Sequence, residues 1–527
     1  MQNVLINGQW REANSSGSFF ASNPNNREKL TEEYPVSTWE DCDEALNAAA
    51  EAFVEMRLMD REKIAIFLDT FAAQIEERAD ELVDMAFTET GLPKSPRLGD
   101  VELPRTTGQL RQAAAAAKSG SWALPTIDTQ LNIRSVFAGL GPVVVFGPNN
   151  FPFAFNSVAG GDFAAALASG NPVIGKANSS HPGTTRILAE QALKAAELTG
   201  MPKAIVQLLY RTGHADGEKL VSDPRVGATG YTGSRGAGLK LKSAADAAGK
   251  PIYLELSSVN PVIMLPGALT ERGSELVDEY AGSCLMGTGQ FCTNPGVVFI
   301  PSGTAGDAFT TGVKEKFDAT PAGTLLSEAT EKSLSESVSF LENNGATKVT
   351  TVAEADSGKF CCPNALLVTT AENFINQPEA MQTEAFGNAA LFVTYENDGQ
   401  LIDAVNALEG NLTGCIYSDS GSSDDASYQK VAPHLAQKVG RMLNDKMPTG
   451  VAVSAAMNHG GPYPATGHPG HSAVGIPGTL RRFAMLQCYD NVREERLPSL
   501  LRDQSPSSET WRLIDGAWTC ESVKLTV

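Results

Sequence analysis

The chain has 527 residues, 42% of them apolar and 19% charged, with a net charge of −20 at neutral pH. One hydrophobic core stops growing near about 250 to 300 residues, so at least two domains are required, and the ordinary globular composition excludes a fibrous or disordered chain. The acidic balance argues against nucleic acid or an anionic membrane as partner.

No apolar run approaches the ~18 residues of a membrane span, and residues 1–10 (MQNVLINGQW) lack the basic and apolar stretches of an export signal. Eight cysteines scattered without paired spacing suit a reducing compartment, so a cytoplasmic location is expected.

In chain order, apolar residues recur at three- and four-residue spacing over 38–57 and again over 60–90, where Gly91 and Pro93 supply a stop. Two amphipathic helices are predicted there. A third is expected from about 103 to 118, followed by a β excursion over 119–138. Between 141 and 265, short runs rich in Val and Ile (143–146, 172–174, 204–209, 252–256 and 262–265) alternate with Ala-rich helical stretches. That is the pattern of βαβ units on a parallel sheet buried on both faces, and it predicts an α/β fold with a doubly wound nucleotide-binding domain. Residues 267–450 repeat the alternation less cleanly, as a second α/β domain. The polar run after Arg502 is expected to be poorly ordered.

Three runs carry chemistry. GTGQFCTNPG (287–296) sets Cys292 among glycines and small residues, so backbone amides can approach whatever a thiolate attacks. LELSSVN (254–260) places Glu255 at the end of an apolar strand, where ligand clefts form in α/β sheets and where a carboxylate can act as a general base. GPNNFPF (147–153) follows another strand and offers the Asn150 amide to a developing oxyanion. Singly, each has a bland alternative: a buried cysteine, a strand-edge acid and a turn-forming Asn-Pro cluster.

Together, in this order, the three runs resemble the aldehyde dehydrogenase superfamily over nearly the whole chain. The resemblance implies that Cys292 attacks an aldehyde, that Asn150 and the Cys292 amide hold the oxyanion, that hydride passes to a nicotinamide, and that Glu255 activates the water which hydrolyses the thioester to a free acid. It implies cofactor contacts from Lys176 and Ser179 in GKANSSHPGT (175–184), from Gly233 and Ser234 in YTGSRGAG (231–238), and from Glu384 and Phe386 in TEAFGN (383–388). Ser179 stands where NAD-preferring members commonly carry a glutamate, and Arg211 follows as a candidate phosphate clamp, so NADP is the expected cofactor with NAD also possible. Asn388 replaces the family's usual proline.

The run HGGPYPATGHPGHS (459–472) holds three of the six histidines without zinc-ligand spacing, and no metal is expected. It resembles the substrate-facing loop of a subgroup that includes 2,5-dioxovalerate dehydrogenases and NADP-dependent fatty aldehyde dehydrogenases. On the helix ELPRTTGQLR (102–111), Arg105 and Gln109 form an i, i+4 pair that would reach a substrate carboxylate, and Phe151, Phe153 and Phe291 would wall an apolar tunnel.

The expected substrate is 2,5-dioxopentanoate, with a fatty or general aliphatic aldehyde as the alternative. The resemblance also implies an NAD(P)-binding domain from 1–118 and 141–252 with a return segment 449–477. A catalytic domain would span 253–448, an oligomerisation flap 119–140 and 478–498, and a C-terminal tail 499–527. A homodimer or homotetramer is expected.

Overall fold

The computed structural model describes residues 1–351 and 355–524. The first helix is Trp39–Met56. The second apolar stretch is two helices, Arg61–Glu77 and Ala79–Thr90, rather than one, because Arg78 leaves helical geometry at φ −115° and ψ 27°. Apolar spacing continues through that corner, so periodicity is blind to it. Gly91 ends the segment at φ 68°, a left-handed position that glycine takes without steric cost.

The first sheet has seven strands, and its parallel part runs in the order Ile252–Glu255, Ala228–Thr232, Val143–Phe146, Val173–Lys176 and Val206–Leu209. The short N-terminal strands Val4–Ile6 and Gln9–Arg11 complete it antiparallel. Two sequence expectations are corrected here. Ala228–Thr232 reads ATGYT and has no apolar run, yet it is an inner strand next to the sheet edge, its small residues packed among the neighbouring strands and Tyr231 buried in a cluster with Ile252 and Leu254. The run 262–265 belongs to the second sheet, not the first.

The second sheet is also seven-stranded, parallel except at one edge, with Val262–Met264 and Val297–Pro301 among its inner strands. The strand carrying Glu255 lies wholly in the first sheet, so the change from one sheet to the other falls after residue 255. The Cys292 loop and Glu255 thus come from opposite sides of the junction between the two sheets.

A third, five-stranded sheet joins Ala484–Asp490, Ile133–Gly139 and Thr126–Asp128 to Arg512–Ile514 and Ala517–Thr519. The polar tail, expected to be poorly ordered, therefore adds two strands to the flap. Its anchor is Arg512, fully buried. That guanidinium donates to the carbonyls of Arg502, Asp503 and Glu521, while Arg134 from the flap strand bonds the Leu501 carbonyl and the Asp503 carboxylate. Three backbone acceptors depend on one side chain. Arg512→Ala is expected to cost about 2 kcal/mol or more, since buried acceptors left unmade are expensive, and to lower the urea midpoint of the flap. Arg512→Lys, lacking the planar fork, should recover little of it.

Candidate active site

Glu255 ends its strand, and the chain is held there by pairing with the 459–472 loop: Glu255 bridges Thr466, and the Leu256 amide donates to the Ala465 carbonyl at 2.8 Å. That pairing brings His459 over the carboxylate. His459 Nε2 lies 2.8 Å from Glu255 Oε1 and 3.5 Å from Cys292 Sγ, and the donor atoms of all three residues lie within 4.8 Å of one another. The sequence reading missed His459 because it weighed that loop only for metal spacing and for resemblance; a lone histidine among glycines carries no local signal.

Cys292 follows the turn Met286–Gly289. Its loop is clamped by Asn260, whose Nδ2 donates to the carbonyls of Cys292 and Asn294, each at 2.9 Å. On the other flank Gly289, at φ 68°, passes so close to Gly387 that a Cβ would sit 2.0 Å from its carbonyl oxygen. The Cys292 and Glu384 loops are thereby locked together. Burial pushes the Cys292 thiol well above its usual range, Glu255 adds to this, and the Arg105 charge opposes it. At rest Cys292 is therefore a thiol, and one imidazole nitrogen, His459 Nε2, lies between its sulfur and the Glu255 carboxylate.

Asn150 is buried and its Nδ2 donates to the Gln290 carbonyl at 3.0 Å, which aims the amide at the Cys292 loop. Its own loop is held by Arg97 and Glu102, neither of which the sequence reading used. Arg97 donates to the Asn150 carbonyl at 2.9 Å and pairs with buried Glu102, which also accepts from the Phe153 and Ala154 amides.

A cavity of about 860 Å³ runs from Cys292 across the first sheet. It is lined by Asn150, Lys176, Ser179, Arg211, Gly233, Ser234, Glu255, Glu384 and Phe386, so the expected cofactor contacts share one space with the expected catalytic ones. At its far end burial, with the Arg211 charge adding to it, lowers Lys176 to about 8. Two cations repelling each other at one end of a groove mark a place for an anion. Midway, the helix Arg235–Ala247 starts at Ser234 with no side-chain cap, which leaves amide donors open to the cavity. Near Cys292, burial pushes Glu384 up to about 7 against hydrogen bonds from Ser257 and Ser258. Cations, amide donors and a carboxylate lining one cavity of about 860 Å³ are the donor set a dinucleotide would use. Asn388, in place of the expected proline, ties its loop down by donating to the Cys362 carbonyl and Asn364 Oδ1.

On the other side of Cys292, Phe151 and Phe291 pack edge to face with centroids 5.6 Å apart, in a cluster with Phe155 and Val474. Arg105 lies 5.3 Å from the Phe155 ring and 6.0 Å from Phe151. Two of the expected contacts fall elsewhere. Phe153 is fully buried in the large core of the first domain, one step further round its loop than the wall requires. Gln109 is buried and its amide donates to the Ala154 carbonyl, so it supports the loop instead of facing a substrate.

The model of the aldehyde dehydrogenase family matches residues 10–462. The chain belongs to that family. The dehydrogenase is 36% identical to alpha-ketoglutaric semialdehyde dehydrogenase 2 of Azospirillum brasilense, over 97% of this chain and 98% of the relative. It is 34% identical to alpha-ketoglutaric semialdehyde dehydrogenase of Acinetobacter baylyi, over 98% of both. Among solved structures, aldehyde dehydrogenase C of Pseudomonas syringae, complexed with NAD+ and octanal, superposes with a TM-score of 0.79 at 17% identity, covering 93% of this chain and 96% of that one. A 3,6-anhydro-L-galactose dehydrogenase in complex with NAP gives 0.79 at 19%, covering 93% and 99%. The dehydrogenase is thus an aldehyde oxidoreductase with a nicotinamide cofactor. Among the described residues no helix is long and apolar enough to cross a membrane.

His459→Ala is expected to lower kcat by about 10²-fold, the scale of a lost proton-transfer partner, and to shift the pH midpoint of Cys292 alkylation by iodoacetamide upward. An unchanged alkylation profile would reduce the contact to packing.

Proposed function

We propose that the dehydrogenase oxidises 2,5-dioxopentanoate to 2-oxoglutarate, with NADP as the preferred cofactor. The observation that carries the substrate is Arg105. Its Nε and Nη2 are buried with no hydrogen-bond partner, and it makes no ion pair among the described residues. Desolvation lowers its pKa, but a guanidinium stays charged in proteins, and its two buried donors are costly to leave unmade unless a ligand completes them. Its charge is felt at Cys292. A five-carbon oxo acid has its carboxylate at the opposite end from its aldehyde, so a cation beside the nucleophile pocket selects it. The two semialdehyde dehydrogenases matched over nearly the full chain support the same reading.

In this reading Cys292 attacks the aldehyde carbon, and the oxyanion is held by the free Asn150 N–H and the Cys292 backbone amide. A nicotinamide held beside Glu384 and Phe386 would supply the hydride acceptor. Glu255, steadied by His459, deprotonates the water that cleaves the Cys292 thioester, giving a free acid. Lys176, Ser179 and Arg211 receive the 2′-phosphate, since no carboxylate stands at 179 to repel it. A cytoplasmic homo-oligomer is part of the reading: Met485 and Leu486 on one edge strand of the flap sheet and Trp518 on the other are exposed, a surface suited to a second copy.

Steady-state kcat/KM for 2,5-dioxopentanoate should exceed that for hexanal, decanal and succinic semialdehyde by about 100-fold, and Arg105→Ala should remove most of that margin, largely through KM, because a charged hydrogen-bonded pair contributes about 1.5 to 3 kcal/mol. Higher kcat/KM with decanal would point to the apolar Phe151, Phe155 and Phe291 cluster as the specificity element and overturn the oxo-acid assignment. For the cofactor, Arg211→Ala should reduce the NADP over NAD ratio of kcat/KM about tenfold, an effect of one lost phosphate contact.

A further inference from the structure

Glu255 stands in the wall between two cavities. One is the large groove that also holds Cys292. The other, behind it, has a volume of about 20 Å³ and is lined by Thr232, Tyr253, His459, His468, His471 and Arg482 together with Glu255 itself. That is room for about one water molecule. Two polar atoms of residues lining it, Glu255 Oε2 and His468 Nε2, are buried without a protein hydrogen-bond partner. His468 and His471 are each partly exposed, so the chamber begins at the base and ends at solvent. The three rings are braced around it: Tyr253 lies 5.0 Å from the His468 ring and 5.2 Å from that of His471.

We propose that His468 and His471 carry protons from Glu255 to solvent through this chamber. Oxidation of an aldehyde by a nicotinamide and one water yields a carboxylate, the reduced cofactor and two protons. One proton leaves the Cys292 thiol when the C–S bond forms. The second leaves with hydrolysis: one O–H bond of water breaks and Glu255 takes that proton, the oxygen bonds the thioester carbon, the C–S bond breaks, and the remaining proton of the acid returns to the Cys292 thiolate, leaving the carboxylate. Glu255 Oε2 is buried with no protein partner to take a proton from it, so the proton needs an acceptor in the adjoining chamber. Glu255 Oε2 can hand its proton to a water in the rear chamber, which passes it to His468 Nε2 and on to His471 or solvent.

The groups facing the pair keep both rings ready to accept. Burial lowers His468, with Lys242 adding to this while Asp246 opposes it. Burial lowers His471 as well, aided by Arg482, His468 and Arg481. Asp162 is committed to Arg482 at 2.6 Å, and His459 to Glu255. Rings held below their ordinary range are unprotonated at pH 7 and release a captured proton quickly.

The inference rests on Glu255 as the deacylation base but not on the identity of the aldehyde, so it is tested on the full-length enzyme with its cofactor and any aldehyde it oxidises. Stopped-flow should show that His468→Gln, alone and with His471→Gln, keeps the first-turnover burst of reduced cofactor but slows steady turnover about tenfold or more at pH 7. The solvent deuterium effect should rise, and added imidazole should restore the rate in proportion to its concentration. A full burst also reports that the variant is folded around Cys292. Unchanged turnover without buffer dependence, or a burst lost together with turnover, would overturn the relay. Glu255→Gln is the separate control: it should stall at the acyl-enzyme after a full burst, and sustained turnover there would remove the base assignment itself, whatever the histidines do.

Discussion

His459 Nε2, 2.8 Å from Glu255 Oε1 and 3.5 Å from Cys292 Sγ, joins three segments that are far apart in the chain and belong to different parts of the fold. Glu255 ends an edge strand of the first sheet, Cys292 rides a loop leading into the second, and His459 comes from the segment that crosses back between them. A buried hydrogen bond to a charged group depends on its geometry, and breaking it by removing one partner strands the other. The surrounding bonds exist at positions that protect it: the Glu255 to Thr466 bridge sets the height of the imidazole, Asn260 sets the depth of the cysteine, and the Gly289 to Gly387 approach stops the two loops from parting.

Electrostatically the molecule is arranged against its own net charge. A chain at −20 keeps two cations, Lys176 and Arg211, at one end of its groove and a half-buried arginine, Arg105, beyond the other. Global charge governs encounter with large polyanions, whereas a small anion in a groove responds to the nearest few charges, which low dielectric strengthens. Arg97 stands nearby but is spent: its Glu102 partner and the Asn150 carbonyl hold it to a supporting task. Two arginines eight residues apart thus differ in kind: Arg97 is held in the scaffold, and Arg105 keeps two donors unmade.

Local patterns reported what they encode and nothing more. The helix at 103–119 and the strands at 143–146 and 252–255 were legible because apolar periodicity and burial coincide there. The strand at 228–232 was not, because a strand between two others can be built from Ala, Gly and Thr when neighbours supply the bulk. The tail was misjudged for the related reason that polarity describes side chains, while the tail is held by backbone pairing and one buried guanidinium. Phe153 and Gln109 were placed on the correct elements but on the wrong side, since neither run says which way its loop or helix face turns.

By itself, then, the sequence determined the family and the α/β class, and it singled out Cys292, Glu255 and the expected cofactor contacts that line one cavity. Those features are written in short contiguous motifs whose chemistry needs the residues next to one another. Tertiary structure alone decided that His459 sits on Glu255 and Cys292, that Arg105 is left unpaired while Arg97 is not, and that a water-sized chamber opens behind the base. The first rests on contacts 204 and 167 positions apart in the chain, and the others on which side chains are left without a partner, and neither leaves a mark on a local run of residues.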